Sequence, residues 1–456
     1  MNKPKHCYVD CTDTFFSELN TGIQRVVRNI ISRIEVVEDY RGYRFIPVIT
    51  VGSEILKIDG NLSDNYPITR TVNRLLAYLR NKADFYFASR RKELLPQPEI
   101  EQVLPRIDNG RVPSGLHGTI ISGCRKIIPF LFRLTMYLDT PFFGDCKVIL
   151  EKRDTVFFAD SFWSLNGLPV LKNAIAIQAK IILLIYDIIP VTHPDFVAEI
   201  NCKKFNELLP EYLKVVDGVI AISKFSMNEI IGYCQKARID RDIAFDYFYL
   251  GADFAPSIAP VEPYKPTISN LYNDSFFIMV GTIEPRKNHV YVFEAFERLW
   301  QEGSEIRLCI VGKVGWKCEA IVKRMTTSGY LNKKLFIFNE LNDADLDYLM
   351  KRSCAVIIAS IVEGFGLPVV EAMHYQKTLL ASDIPVFREI GGEYPIYFPL
   401  NDNKMLSNLI VRVACGNLKS ENHIKGWLSW DESIHVLMDK VIGMSQSPKK
   451  HSEIIT

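Results

Sequence analysis

Short runs of consecutive apolar residues alternate along this chain with longer stretches whose apolar positions recur at helical spacing. A continuous apolar run is what a strand shows when both its faces are buried, as in a parallel sheet covered by helices. In the first half the runs are CYVD (7–10), FIPVIT (45–50), TVFFAD (155–160), IILLIYD (181–187), GVIAIS (218–223) and DYFYLG (246–251). A second series follows: FFIMV (276–280), IRLCIV (306–311), LFIF (335–338), AVIIAS (355–360) and TLLAS (378–382), each trailed by a helical pattern. Between the series, FAPSIAPVEPYKPTISN carries four prolines and no period, which marks a linker near residues 254–270. Strand and helix in alternation on both sides of a linker predict an α/β protein of two doubly wound domains.

One region breaks the pattern. From about 61 to 146 the chain reads as amphipathic helices, such as RTVNRLLAYLRNKADFYF and GCRKIIPFLFRLTMYL, in which Lys and Arg outnumber the acids about two to one between Arg70 and Arg133. It is expected to be a basic helical insertion in the first domain, either with a solvated face or lying on anionic lipid headgroups. Elsewhere the charge is balanced: 54 Lys and Arg against 53 Asp and Glu in 456 residues, with 48% hydrophobic residues. Neither disorder nor a general affinity for nucleic acid fits that composition. The start, MNKPKHCYVD, lacks the apolar core of a secretion signal, and no run reaches the ~20 apolar residues that span a bilayer, so a cytoplasmic protein is expected. The 10 cysteines show no paired C-x-x-C spacing, which favours reduced, buried thiols over disulfides or zinc.

Parallel sheets bind ligands beyond the carboxyl ends of their strands, where loops and helix N-termini converge. Two unusual stretches fall there. After FFIMV comes GTIEPRKNH, whose Arg286 and Lys287 are placed to hold an anionic group near the next helix N-terminus. After AVIIAS comes EGFGLPVVE, residues 363–371, with a carboxylate at each end, two glycines that permit close backbone approach, and Pro368 opening a helix. Taken singly, Glu371 is readable as a favourable charge near a helix start, Arg286 and Lys287 as a solvated pair, and the glycines as a turn. Occurring together at strand ends of one domain, they point to a cradle for a diphosphate. The acidic run NDADLDYL (342–349) is most simply an Asn342 N-cap followed by acids in a first helical turn rather than a metal site.

VGTIEPRKNH, followed about 80 residues later by EGFGLPVVEAM, resembles the retaining, nucleotide-sugar-dependent glycosyltransferases of family four, the second stretch matching their E-x7-E motif. TGIQRVVRNI (21–30), VVDGVIAISKFSMNEI and WLSWDESIHVL agree in the same order, so the resemblance covers most of the chain outside the insertion. It implies the GT-B fold: two Rossmann-like doubly wound domains facing across a cleft, residues 1–253 on the acceptor side and 254–425 binding the nucleotide sugar. Residues 426–445 would form a C-terminal helix crossing back to the first domain. Carried over, Glu371 would accept hydrogen bonds from the ribose hydroxyls, and Glu363 would face the donor sugar near the reacting carbon. Backbone around Gly364, Phe365, Gly366 and Leu367 would hold sugar hydroxyls and phosphate, Gly281 and Thr282 would border the donor, and Lys287 and Arg286 would stabilise the leaving group. Gly22 would approach the diphosphate from across the cleft, and Arg25 and Asp187 would stand on the acceptor side.

Two departures stand out. Many members carry Arg directly after the glycine that closes the first C-terminal strand, where this chain has Thr282, so Arg286 is expected to supply that cation from further along the loop. Many also have a His-Asp pair at a first-domain strand end, where this chain has Tyr186-Asp187; the histidine's role is not transferred to Tyr186, and His193 is expected to be a loop residue. The resemblance implies a metal-independent retaining transfer without cofactor, from a nucleotide sugar to a glycan or lipid-linked glycan of a surface polysaccharide such as lipopolysaccharide O-antigen or capsule. GTIEPRKN most resembles the mannosyl-transferring branch, which favours GDP-mannose. A nucleotide-sugar epimerase and a non-catalytic scaffold of the same fold are the alternatives; the first lacks a convincing acid-base pair from both domains, and Glu363, Lys287 and Glu371 argue against the second.

Overall fold

The computed structural model describes residues 4–16, 22–37, 39–51, 54–58, 147–163, 168–252, 276–339, 341–421 and 427–447. Both the insertion expected at about 61–146 and the linker expected at 254–270 lie outside them. The first sheet contains β1 (Lys5–Asp10), β2 (Tyr43–Val51), β3 (Glu54–Lys57), β4 (Thr155–Phe158), β5 (Lys180–Ile185), β6 (Gly218–Ala221) and β7 (Ala244–Tyr247). Their order is β3-β2-β1-β4-β5-β6-β7, parallel throughout except for the β2–β3 pair. The second contains β8 (Phe276–Val280), β9 (Arg307–Val311), β10 (Leu335–Phe338), β11 (Ala355–Ile358), β12 (Thr378–Ser382) and β13 (Ile396–Phe398). It is wholly parallel in the order β10-β9-β8-β11-β12-β13. This is the expected α/β architecture of two Rossmann-like sheets. Each reverses direction once, between β1 and β4 and between β8 and β11, and a crevice opens at the carboxyl ends of those strands.

Burial explains why these segments became strands. β4, β6 and β11 are buried at every position, as continuous apolar runs require when helices cover both faces. Side-chain caps fix the helix starts: Ser223 accepts from the Ser226 amide, Asn342 from that of Asp345, and Ser429 with Glu432 forms a capping box at Trp430–Gln446. Among the described residues no helix is long and apolar enough to cross a membrane, and the cysteines there are free thiols.

The structure differs from the sequence pattern at three strands. β3 and β13 are short edge strands without an apolar run long enough to announce them. The stretch DYFYLG contributes only its first two residues to β7, because the rest turns away to meet the C-terminal segment. There, Trp427 Nε1 donates to the Leu250 carbonyl at 2.7 Å and Ser433 Oγ to that of Tyr249 at 2.6 Å. Helix Trp430–Gln446 lies on the first domain, pairing Asp431 with Arg33 at 2.6 Å and Lys440 with Asp246 at 2.6 Å. A Cβ on Gly251 would meet the Trp430 backbone at 2.5 Å, so the approach is at backbone contact.

Trp430 is 1% exposed and anchors this helix. Trp430→Ala is expected to cost about 3–5 kcal/mol, as deletion of a buried large aromatic does. Urea unfolding of both proteins measures it, and a loss under about 1 kcal/mol, no more than a typical surface change, contradicts the anchoring role.

Candidate active site

The site is built at the carboxyl ends of β8 and β11, which are neighbours in the second sheet. Beyond β8 the chain passes Gly281 at φ +144°, and a Cβ on Gly312, after β9, would strike the Gly281 carbonyl at 1.9 Å. The two loops therefore run backbone to backbone, tied by the Ile283 amide to the Lys313 carbonyl at 2.8 Å. A short 3-10 turn, Pro285–Lys287, follows, and left-handed Asn288 leads into helix His289–Gln301. Beyond β11, the Ile361 amide donates to the Arg286 carbonyl at 2.8 Å, which fastens the second loop to the first. Gly366, at φ +97°, bends that loop into helix Leu367–His374, with Pro368 in the first turn. A Cβ on Gly366 would also strike the Phe387 ring at 2.5 Å.

These loops bring a carboxylate and two cations together. Arg286 Nη1 donates to Glu363 Oε2 at 2.5 Å, Lys287 Nζ donates to Oε1, and Ser360 Oγ donates to the same Oε1 at 2.8 Å. Arg286 Nε forms a second ion pair with Glu284 at 2.6 Å. Burial alone would raise the Glu363 carboxyl, but Arg286, Lys287 and the hydrogen bonds from Lys287 and Ser360 outweigh it and hold it at about 2. Glu363 is thus ionised throughout the neutral range, fit to orient hydroxyl groups and face positive charge, and unfit as a proton donor. Burial likewise lowers the Arg286 guanidinium, while Glu363, Glu284 and Asp187 more than reverse this and keep it protonated. The Asp187 carboxyl is raised by burial and pulled back by Arg286, so this first-domain acid feels the cluster across the cleft. His289, next in the chain to Asn288, is buried, with neither ring nitrogen hydrogen-bonded among the described residues. Burial and then Lys287 push it down to about 3, which makes it a neutral neighbour.

The first domain closes on this loop. A Cβ on Gly364 would meet the Tyr186 carbonyl at 2.6 Å, and the Gly364 carbonyl accepts from Ser223 Oγ at 2.6 Å and Ser226 Oγ at 2.9 Å. Its freedom of approach serves the domain interface. Glu389 accepts from the amides of Lys224 and Phe225, both at 2.7 Å, and Trp316 Nε1 donates to the Phe196 carbonyl at 2.8 Å. Phe365 is buried in an aromatic group with Tyr249 and Trp427. Glu371 is paired with Arg25 of the first domain at 2.5 Å, and Gly22 borders open space at the start of the Arg25 helix. Thr282 packs its methyl group beside Gly315, and Leu367 is half-buried in the first turn of its helix. Tyr186 turns its hydroxyl to the Ala159 carbonyl at 2.8 Å, inside the first domain, and His193 lies in the loop after β5, stacked on Phe196.

The structure thus gathers Glu363, Lys287, Arg286 and Asp187 into one charged cluster and pairs Glu371, on the helix that follows, with Arg25. Sequence reading missed Glu284, Ser360, Ser223 and Ser226. Glu284, in GTIEPRK, was visible as an acid two residues before Arg286; the serines carry no signal beyond standing at strand ends. It also passed over Asp10 and Asp160 at the carboxyl edge of the first sheet, which burial raises to about 7 and about 6.

Fold and site together define a GT-B protein. Within it, residues 265–425 match the model of the family Glycosyl transferases group 1. The serotype-specific mannosyltransferase WbdA of Escherichia coli is 32% identical over 359 residues, 74% of this chain and 44% of WbdA. The O-antigen chain mannosyltransferase B of the same species is 26% identical over 235 residues, 50% of this chain and 59% of that protein. The chain thus spans less than half of the WbdA relative it matches. Among solved structures, the α,α-trehalose 6-phosphate synthase of Burkholderia multivorans superposes with a TM-score of 0.52 at 11% identity, covering 97% of this chain and 99% of that one. Anabaena HepE in complex with UDP-glucose gives 0.50 at 14% identity, covering 97% of each. These two likenesses are of fold.

The depressed Glu363 carboxyl makes a stability prediction. Its ionised form is favoured by folding, so its contribution is complete above the ordinary 4.5 and is lost as pH falls through about 2. The difference in unfolding free energy between the natural chain and Glu363→Gln should therefore narrow from pH 4.5 to pH 2. Denaturant unfolding at a series of pH values checks it; a constant difference means the carboxylate is not held by its cations.

Proposed function

We propose that the chain is a retaining glycosyltransferase that moves mannose from GDP-mannose to a glycan or lipid-linked glycan in the assembly of an O-antigen or capsule. The observation that carries this reading is the buried carboxylate Glu363 held between Lys287 and Arg286 at the edge of the second sheet, eight residues before Glu371 on the next helix. The mannosyltransferase names of the relatives support the sugar and the pathway class.

Breaking a sugar–diphosphate bond puts positive charge on the anomeric carbon and negative charge on the leaving oxygen. Lys287 and Arg286 neutralise the second, and ionised Glu363 orients the sugar beside the first. The acceptor hydroxyl enters from the face the diphosphate leaves, and a phosphate oxygen takes its proton, so configuration is retained. Metal is not needed for this scheme, because the two side chains do the neutralising. Glu371 accepts from the ribose hydroxyls. We also infer that the basic stretch around Arg125, Lys126 and Arg133 brings the enzyme to the cytoplasmic face of an anionic membrane, a reading that rests on sequence alone.

Incubation with a panel of nucleotide sugars and analysis of the released nucleotide and transferred sugar test the function; interconversion of the sugar in place of transfer contradicts it. Lys287→Ala is expected to lower turnover by a factor of about 10²–10³, the usual loss of one such contact, with a much smaller effect on folding. Near-normal turnover ends the assignment. The glutamates should separate in calorimetric titration with GDP: Glu371→Gln weakens binding, whereas Glu363→Gln leaves affinity nearly intact and depresses the rate. Equal loss of affinity in both variants contradicts the division of roles.

A further inference from the structure

Arg25 belongs to the first domain, in the first turn of helix Gly22–Ile34, yet its guanidinium donates to Glu371 in the second at 2.5 Å. The Glu371 side chain is 9% exposed and that of Arg25 31%, so the carboxylate is the more buried partner. A buried carboxylate is strongly dependent on its cation. Glu371 is also the group that would receive the ribose hydroxyls, so Arg25 and the nucleotide address one carboxylate from the two sides of the cleft. In a nucleoside diphosphate the ribose is joined to the first phosphate through a single CH2–O link. On such a ligand the phosphates are the anions nearest the ribose hydroxyls, and the planar fork of a guanidinium leaving Glu371 suits phosphate as well as carboxylate.

We propose that Arg25 is a ligand of the donor diphosphate supplied by the first domain, and that it exchanges the Glu371 carboxylate for the diphosphate as the ribose hydroxyls take Glu371. This rests on the assignment of Glu371 to the ribose and goes beyond it, since it moves Arg25 from the acceptor side to the donor and makes closure of the domains depend on the phosphates. A nucleoside must displace Arg25 and offers nothing in return, whereas a nucleoside diphosphate offers a stronger anion. Arg25 thereby makes the cleft select a phosphorylated nucleotide over a bare nucleoside.

The test is calorimetric titration of the full chain with GDP, and competition against GDP by guanosine, for the natural protein, Arg25→Ala and Arg25→Lys; UDP and uridine replace them if UDP is the nucleotide bound. Arg25→Ala should weaken the diphosphate about ten- to hundredfold, the effect of one charged hydrogen-bonding partner. The nucleoside should bind equally well or more tightly, because its competitor for Glu371 is gone. Arg25→Lys should recover part of the diphosphate affinity through its charge. Equal weakening of both ligands would mean that Arg25 only orients Glu371, and unchanged diphosphate affinity would mean that it does not reach the phosphates; either overturns the proposal. Glu371→Gln in the same titrations separates the two levels: if it leaves GDP and guanosine unaffected, the ribose assignment itself fails and this inference fails with it.

Discussion

A carboxylate buried between two cations sets the terms for this protein. Glu363, 7% exposed, is stable as an anion only because Arg286 and Lys287 reach it from another loop, and they are stable in the same place only because Glu363, Glu284 and Asp187 answer their charge. Each charge has more than one partner, since Glu363 meets both cations and Arg286 meets both Glu363 and Glu284, so the loss of one partner unbalances the cluster without emptying it. The adjacency of β8 and β11 in the sheet makes the meeting possible, and the Ile361–Arg286 backbone bond fixes its register. Such an arrangement is preorganised for charge that appears during a reaction: the cations are already held in place when a leaving group becomes negative.

The domain interface follows from the same loop. Gly364, one residue after Glu363, is pressed against Tyr186 and Asp187, and its carbonyl is held by Ser223 and Ser226 at the start of a first-domain helix. Around it polar contacts, Glu389 on two helix amides, Trp316 on a carbonyl and Arg25 on Glu371, stand beside the apolar group of Phe365, Tyr249 and Trp427. The C-terminal helix Trp430–Gln446 is packed on the first domain through the buried Trp430.

Much of this was legible in the residue pattern. The continuous apolar runs located eleven of the thirteen strands because burial on both faces leaves no other composition available, and EGFGLPVVE announced a bend between two carboxylates because few other needs place glycine, proline and acid so closely. What the pattern did not carry was long-range. Nothing in GTIEPRKNH says that Arg286 and Lys287 close on Glu363, or that Glu284 shares Arg286, since these are pairings across loops. Nothing near Gly364 announces that the other domain's backbone packs against it. DYFYLG looked like one strand and divides between the sheet and the C-terminal segment, a competition that only tertiary contacts decide.

The central claim is that Lys287 and Arg286 stabilise negative charge as the diphosphate leaves, and leaving-group basicity probes that charge directly. Donor analogues in which the oxygen bridging the two phosphorus atoms is replaced by CF2 or by CH2 make the departing group less or more basic without changing the sugar or the nucleoside. Transfer rates for the natural chain and for Lys287→Ala across this series give two slopes. The slope of the variant should be the steeper, because the leaving group must then carry charge that Lys287 no longer neutralises. Parallel slopes would contradict the assignment, whatever the absolute rates.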